Sequence, residues 1–314
     1  MKPVIEVCDL HKSYGATERV HGISFSVSKG QIFGFLGVNG AGKTTTIEIL
    51  EGYRARDSGD VAVLGTDPWR APRTWRNRIG LVLQDSMLNP VFSVRETVSM
   101  FARYFVATTS VDHVLRACGL SDQSDERIGR LSGGQRRKVD VALGLVGDPE
   151  ILFLDEPTTG LDPAARREMW TVIGGLREAE KTVFLTTHYM DEAQHLSDEI
   201  VILRAGSIVA QGSPDQLSRS LGAASQISFE LPTGVPLDSI ELPITTARCE
   251  SGTVRFQSVA VQRDLGALLA WAQSERIELA NLTVKQPSLD DVFVQLATWS
   301  EDDLRLSESS VADE

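Results

Sequence analysis

Apolar and polar positions alternate over residues 4–10 and again over residues 23–27, the two-residue period of half-buried strands. Lys29-Gly30 supplies the turn out of that first, antiparallel sheet. The period then changes. Gln31-Ile32-Phe33-Gly34-Phe35-Leu36 is a nearly continuous apolar run, and residues 79–83, 151–154 and 183–187 repeat the pattern, as expected of strands covered on both faces. A helix over residues 43–51 puts Ile47 and Leu50 on one face. From about residue 85 to 130 the spacing is helical, with Val94-Arg95-Glu96-Thr97-Val98 opening an amphipathic segment. Residues 199–203 begin a hairpin closed by Ala205-Gly206. The pattern predicts an α/β fold: a mostly parallel core, an antiparallel β subdomain at the N-terminus, and a helical insertion over about 85–145.

A composition shift at Ser213-Pro214 separates this large domain, residues 1–213, from a small α+β domain over 214–299. Strands are expected at 227–231, 254–259 and 277–284, with an amphipathic helix at 263–274 and a last helix capped by Ser288. Residues 300–314 are polar and acidic and are expected to be disordered.

Of the 314 residues, 42% are apolar and 24% charged, the balance of a globular protein. No run of about 18 apolar residues exists, so no segment is expected to span a membrane, and the N-terminus lacks the apolar core of a signal peptide. Cys8, Cys118 and Cys249 lie far apart without neighbouring histidines and read as buried small hydrophobes in a reducing compartment. A net charge of −12 argues against a nucleic-acid partner, which needs a basic face.

The chemistry is concentrated in short motifs. Gly37-Val38-Asn39-Gly40-Ala41-Gly42-Lys43-Thr44 follows an apolar strand and opens a helix, the context in which such a loop binds nucleotide phosphates. Its glycines let backbone N–H groups approach the phosphates, and the helix N-terminus adds a positive dipole end. Lys43 then reaches the β- and γ-phosphates, Thr44 gives its hydroxyl to Mg²⁺, and Thr45 is a further phosphate donor. Asp155 ends a buried strand, where its carboxylate can hold the Mg²⁺ shell. Glu156 follows it and can poise a water for attack on the γ-phosphate. Downstream of the loop lies Leu131-Ser132-Gly133-Gly134-Gln135, whose Ser132 and glycine N–H groups cap a helix beginning at Gln135-Arg136-Arg137-Lys138 and form a second anion-binding N-terminus. The phosphate loop alone arises by chance in roughly one chain in a hundred of this length. A given five-residue word has odds on the order of one in a million per position. Their co-occurrence in this order excludes coincidence.

The succession of these motifs with Gln84, Pro157-Thr158-Thr159-Gly160-Leu161-Asp162 and Thr187-His188 resembles the ATP-binding subunit of ABC transporters, over residues 4–212. The resemblance implies a P-loop NTPase core, ATP and Mg²⁺ as cofactors, and two ATP molecules sandwiched in a head-to-tail homodimer. Ser132, Gly133, Gly134 and Gln135 then meet the γ-phosphate bound to the second copy, and Asp162 lies in the loop that communicates with it. Gln84 touches Mg²⁺ or the attacking water and senses the membrane partner, while His188 contacts the γ-phosphate and orients Glu156. Tyr14, which by its strand-end position alone reads as core, takes the place where such subunits stack an aromatic ring on adenine. Lys285-Gln286-Pro287-Ser288-Leu289-Asp290-Asp291-Val292-Phe293 is similar to the ending of daunorubicin-resistance ATPases, which serve exporters whose transmembrane permease is a separate chain. There the appended domain supports dimerisation or regulation. The expected function is thus ATP hydrolysis that powers export of a drug, lipid or polysaccharide from the cytoplasmic face of the membrane. The alternative, a soluble ABC ATPase acting on ribosomes or DNA, fits less well. This chain has one cassette, no heptad stretch and an acidic balance, and intact Glu156 and His188 weigh against a purely binding switch.

Overall fold

A computed structural model of the chain describes residues 3–84, 88–220, 225–231, 248–250, 252–258 and 260–285. In chain order it begins with β1 (Ile5–Tyr14), β2 (Thr17–Val27), β3 (Ile32–Gly37), α1 (Lys43–Leu50), β4 (Ser58–Val63), α2 (Arg73–Arg76) and β5 (Ile79–Val82). Helices α3 (Val94–Ala102), α4 (Val111–Ala117) and α5 (Gly133–Leu145) follow. After them come β6 (Ile151–Asp155), α6 (Pro163–Glu178), β7 (Thr182–Thr187), α7 (Met190–Leu196), β8 (Glu199–Arg204) and β9 (Ser207–Gly212). The rest comprises α8 (Pro214–Ser220), β10 (Ser225–Glu230), β11 (Arg248–Glu250), β12 (Thr253–Ser258), α9 (Val261–Ser274) and β13 (Ala280–Lys285). Two compact units divide the chain, Met1–Pro214 and Asp215–Glu314.

The first unit is built on a six-stranded sheet of order β5-β6-β7-β3-β8-β9, parallel except for the antiparallel β9. A three-stranded antiparallel sheet, β2-β1-β4, covers part of one face. Side chains leave a strand alternately on its two faces, and the central strands split accordingly. Phe33, Phe35, Ile151, Phe153 and Phe184 join Phe25 and α1 in one core, while Ile32, Leu152, Leu154, Val183 and Leu185 join α3 to α6 in the other. In the first core the rings of Phe25, Phe33, Phe35 and Phe184 pack with centroids 5.4–6.1 Å apart. Each fully buried ring contributes about 2–3 kcal/mol. The expected fold class is the one found.

What this sheet does for function is to align strand ends. Leu36 is in register with Thr187, and Asp155 with Thr186. The segments that leave β3, β6 and β7 therefore emerge side by side at the carboxyl edge, where ligands bind in open α/β sheets.

In the second unit, β11-β12-β10-β13 form an antiparallel sheet against α9 around Ile227, Phe229, Val254, Phe256 and Leu268. The strand expected from residue 277 starts instead at Ala280. Ile277 N–H donates to Ala272 O at 2.8 Å and Arg276 has φ +57°, so those residues close the C-terminus of α9. Cys8 departs from expectation too. It sits on the outward side of β1 and is exposed, whereas Cys118 is buried; the side chain of Cys249 lies outside the description. The last helix with its cap at Ser288 and the acidic tail lie outside the described residues.

Candidate nucleotide-binding site

The loop between β3 and α1 is shaped by glycines with distinct tasks. Gly42 has φ +108°, a conformation other residues rarely adopt, and a Cβ there would lie 2.8 Å from Arg19 O. At Gly37 a Cβ would meet Leu203 O at 2.7 Å. The hairpin turn supports the loop from below, with Gly206 N–H donating to Ala41 O at 3.0 Å. α1 begins at Lys43 with no side-chain cap and no acidic residue in its first turn, so its N-terminal dipole end is left to an outside anion.

Around this loop opens a cleft of about 600 Å³, within the ordinary size of a small-molecule site. The fold brings Tyr14, Asn39, Gly40, Gly42, Lys43, Thr44, Thr45, Gln84, Glu156 and His188 to its wall. Val38 and Ala41 belong to the loop without lining the cleft, and Asp155 lies just behind, 9% exposed. Lys43 is folded onto its own loop: its Nζ donates to Gly37 O at 2.7 Å and lies 3.4 Å from Glu156 Oε1. His188 Nδ1 is 3.2 Å from Glu156 Oε2 but makes no hydrogen bond. Burial pushes the Glu156 carboxyl up. Lys43, His188 and a bond from Thr159 outweigh it, so Glu156 titrates below the usual glutamate range. For Asp155 burial wins, raising it despite a bond from Thr186. Two adjacent carboxyls thus have opposite tendencies.

Glu156 is also backbone-strained, with φ +45°, a conformation that costs a non-glycine residue of order 1 kcal/mol or more. Its N–H is held by Thr186, 3.1 Å from both the carbonyl and the hydroxyl oxygen. Tyr14 is 41% exposed, so its ring is not core; Arg54 lies over it at 5.1 Å, and its hydroxyl is 3.4 Å from Thr45 Oγ1.

The second motif is elsewhere. α5 starts at Gly133, two residues before the expected Gln135. Ser132 accepts from Gln135 N–H at 3.2 Å while Gln135 Oε1 accepts from Ser132 N–H at 2.9 Å. This reciprocal cap engages Gln135 and leaves the N–H groups of Gly133 and Gly134 without partners among the described residues. A Cβ at Gly134 would lie 2.7 Å from Ala165 Cβ, which is why that position has no side chain. Asp162 caps α6, accepting from Ala164 and Ala165 N–H groups at 2.9 and 3.0 Å. Neither segment lines the cleft of its own chain.

Two cleft-lining residues had no role assigned from sequence: Arg19, which carries no local signal, and Thr159, which lies inside a quoted motif. Arg137, 8% exposed, donates to Leu83 O, to Asp155 O at 3.0 Å and to Pro157 O at 2.9 Å. It cross-links α5, the Gln84 segment and the Asp155–Glu156 turn. A cation on the inward stripe of a helix was the available hint.

Glu51, at the C-terminus of α1, is 6% exposed and lines a separate cavity of about 380 Å³ with Tyr53, Phe101, Phe105 and Leu143. Burial first, then Asp155 and Glu48, push its carboxyl from 4.5 to about 8. The folded state therefore binds this proton more tightly than the unfolded chain. The stability it contributes is present in full below pH 4.5 and is lost as pH rises toward 8. Glu51→Gln should match the wild type near pH 4.5 and be more stable at pH 8, on the order of 2–4 kcal/mol. Denaturant unfolding at both pH values checks this; equal stability at pH 8 would contradict it.

Comparison with known proteins agrees with this geometry. Residues 20–159 match the family model described as ABC transporter, and residues 225–288 match one described as ABC transporter domain-containing protein-like, C-terminal domain. The chain is 37% identical over 297 residues to Nod factor export ATP-binding protein I of Paraburkholderia xenovorans (strain LB400), covering 93% of this chain and 96% of that one. It is 38% identical over 305 residues to the protein of the same name from Ralstonia nicotianae, with 94% of each covered. Among solved structures, cbiO1 from Clostridium perfringens, part of the ABC transporter complex cbiONQ, superposes with a TM-score of 0.63 at 28% identity, covering 69% of this chain and 91% of that one.

Proposed function

The chain belongs to the ATP-binding subunits of ABC transporters, and from that premise we propose that it powers export of a drug, lipid or polysaccharide through a separate transmembrane permease. It is an ATPase coupled to transport, as members of this family are. Relatives named for Nod factor export, alike over nearly the whole chain, favour the export direction. Among the described residues no helix is long and apolar enough to cross a membrane, in keeping with a peripheral position at its cytoplasmic side.

One observation carries the catalytic reading: Glu156 is held between Lys43 and His188 at the wall of the cleft, with its charge retained. Gly37 to Thr45 bind the phosphates of ATP, with Lys43 swinging from its loop carbonyls to the β- and γ-phosphates. Tyr14 stacks on the adenine. Glu156 orients the attacking water and His188 contacts the γ-phosphate. Thr44, Gln84 and Asp155 form an oxygen-donor set that suits Mg²⁺, which would neutralise phosphate charge. Among the described residues no three His, Cys, Asp or Glu side chains could hold a metal by themselves, and phosphate oxygens of a bound nucleotide would supply further hard ligands of the kind Mg²⁺ takes.

A second copy supplies the remaining anion site. The free N–H groups of Gly133 and Gly134, with Ser132 and Gln135, meet the nucleotide held by the opposite chain, and Asp162 faces that chain. The membrane partner docks beside Gln84 and the helical insertion. Leu83 next to Gln84, and Tyr104 and Val106 in the insertion, are large apolar side chains left exposed, and Arg137 donates to the carbonyls of both Gln84 and Glu156.

Ser132→Arg tests the composite site. Calorimetry should find MgATP bound to the single chain with unchanged affinity, while hydrolysis falls about a hundredfold. Weakened binding in the monomer would contradict a site completed in trans.

A further inference from the structure

At its Nδ1, His188 faces Glu156 without a well-aligned hydrogen bond. Its Nδ1 is buried and has no hydrogen-bond partner, and the approach to Glu156 at 3.2 Å is electrostatic. An imidazole at a strand end held by one charge would be free to turn about χ1 and χ2. What limits it is a stack. The Tyr189 ring lies against the His188 ring with centroids 4.1 Å apart and planes 38° from parallel. On Tyr189 lies the Arg166 guanidinium, 4.1 Å from the ring centroid.

Both members of the stack are anchored. Arg166 is in the first turn and a half of α6, and its N–H donates to Asp162 O at 2.9 Å. Its Nε is buried without a hydrogen bond, as a guanidinium lying flat on a ring would be, and its Nη1 is 3.7 Å from Asp191. The backbone N–H of Tyr189 donates to Thr187 Oγ1 at 3.0 Å, tying the backbone that carries the ring to the end of β7. Further along, Trp170 of α6 donates to Glu192 at 3.2 Å and stacks on His195, both on α7. The α6–α7 seam is thus fixed at two points, one of them against His188. Cation–π contacts gain strength when desolvated, and a stack restricts orientation without consuming the imidazole nitrogens.

We propose that Arg166 and Tyr189 are positioning residues, which hold the His188 ring in the orientation that serves the γ-phosphate and Glu156. The proposal rests on the ATPase reading of His188 given above. It leaves both ring nitrogens available to the reaction. It also starts the chain of contacts at Asp162, so the orientation of His188 depends on how α6 begins.

The test is steady-state and single-turnover ATP hydrolysis by the full chain carrying Tyr189→Leu, Tyr189→Phe or Arg166→Met, alone and combined with His188→Ala. Tyr189→Leu and Arg166→Met should lower kcat on the order of tenfold to a hundredfold, the scale of a misplaced group, with KM for ATP unchanged. Tyr189→Phe, which keeps the ring, should restore the rate. On the His188→Ala background neither change should cause further loss in single turnover, because their effect passes through that ring. An undiminished kcat in Arg166→Met and Tyr189→Leu, or an equal further loss without His188, overturns the proposal. Should Tyr189→Leu lose its fold by circular dichroism, Arg166→Met on partly exposed α6 carries the test. If His188→Ala alone hydrolyses at the native rate, the reading of His188 falls first. If only His188→Ala is impaired, that reading stands and the positioning role fails.

Discussion

Glu156→Gln is expected to hydrolyse ATP about 10²–10³ times more slowly than the wild type while still binding MgATP, the scale of removing one positioned group that acts only in the transition state. The substitution keeps shape and volume at a residue 11% exposed in its side chain, so no packing loss accompanies it. It removes the charge that pairs with Lys43 and His188. Binding should therefore survive, and KM should change far less than kcat. With hydrolysis blocked, the ATP-bound pair should accumulate, and light scattering should show the mass doubling on adding MgATP. Native-rate hydrolysis would remove Glu156 from its role. A dead chain that stays monomeric in MgATP would mean that closure needs the membrane partner.

Lys43→Ala should act one step earlier, abolishing tight MgATP binding. The Lys43 amine is buried, and its present acceptors are loop carbonyls and Glu156. Two charge-assisted bonds to phosphate at about 1.5–3 kcal/mol each put the affinity loss near a hundredfold or beyond. Removing Lys43 also leaves Glu156 without its nearest cation, so the variant should be weaker in binding than Glu156→Gln by a wide margin. Calorimetric titration with MgATP decides it. Unchanged affinity would mean that the glycine loop does not hold the nucleotide.

The residues legible in the sequence are those whose signal is local. A both-faces-buried strand must be apolar throughout, and a tight loop at a strand end must be glycine-rich, so Phe33 to Thr44 declared both the strand and the loop that walls the cleft. The place of Asp155 at the end of a buried strand was readable for the same reason, the first of two carboxylates that close an apolar run. What stayed hidden depends on contacts between segments far apart in the chain. Arg137 reaches residues 18 and 20 positions away through its carbonyl bonds, and nothing near it announces the acceptors. Arg19 reaches the cleft only because β2 folds under the loop. Cys8 was misread because a small apolar side chain on a strand is placed by the register, and the register of β1 turns it outward. The start of α5 was misplaced by two residues because glycines weaken helix propensity. There the Ser132–Gln135 cap overrides it. That Tyr14 is exposed at the cleft wall was not legible locally, since a tyrosine at a strand end has the same local pattern whether it packs inward or faces out.

The left-handed backbone of Glu156 places selection for durability and selection for turnover in opposition at one residue. Glycine would relax that φ at no steric cost, so an unguided search for sturdier variants would drift toward glycine at 156 and reject it only if activity were scored. A glutamate kept in so uncomfortable a conformation is the kind of position that a stability-only redesign of this chain would silently erase.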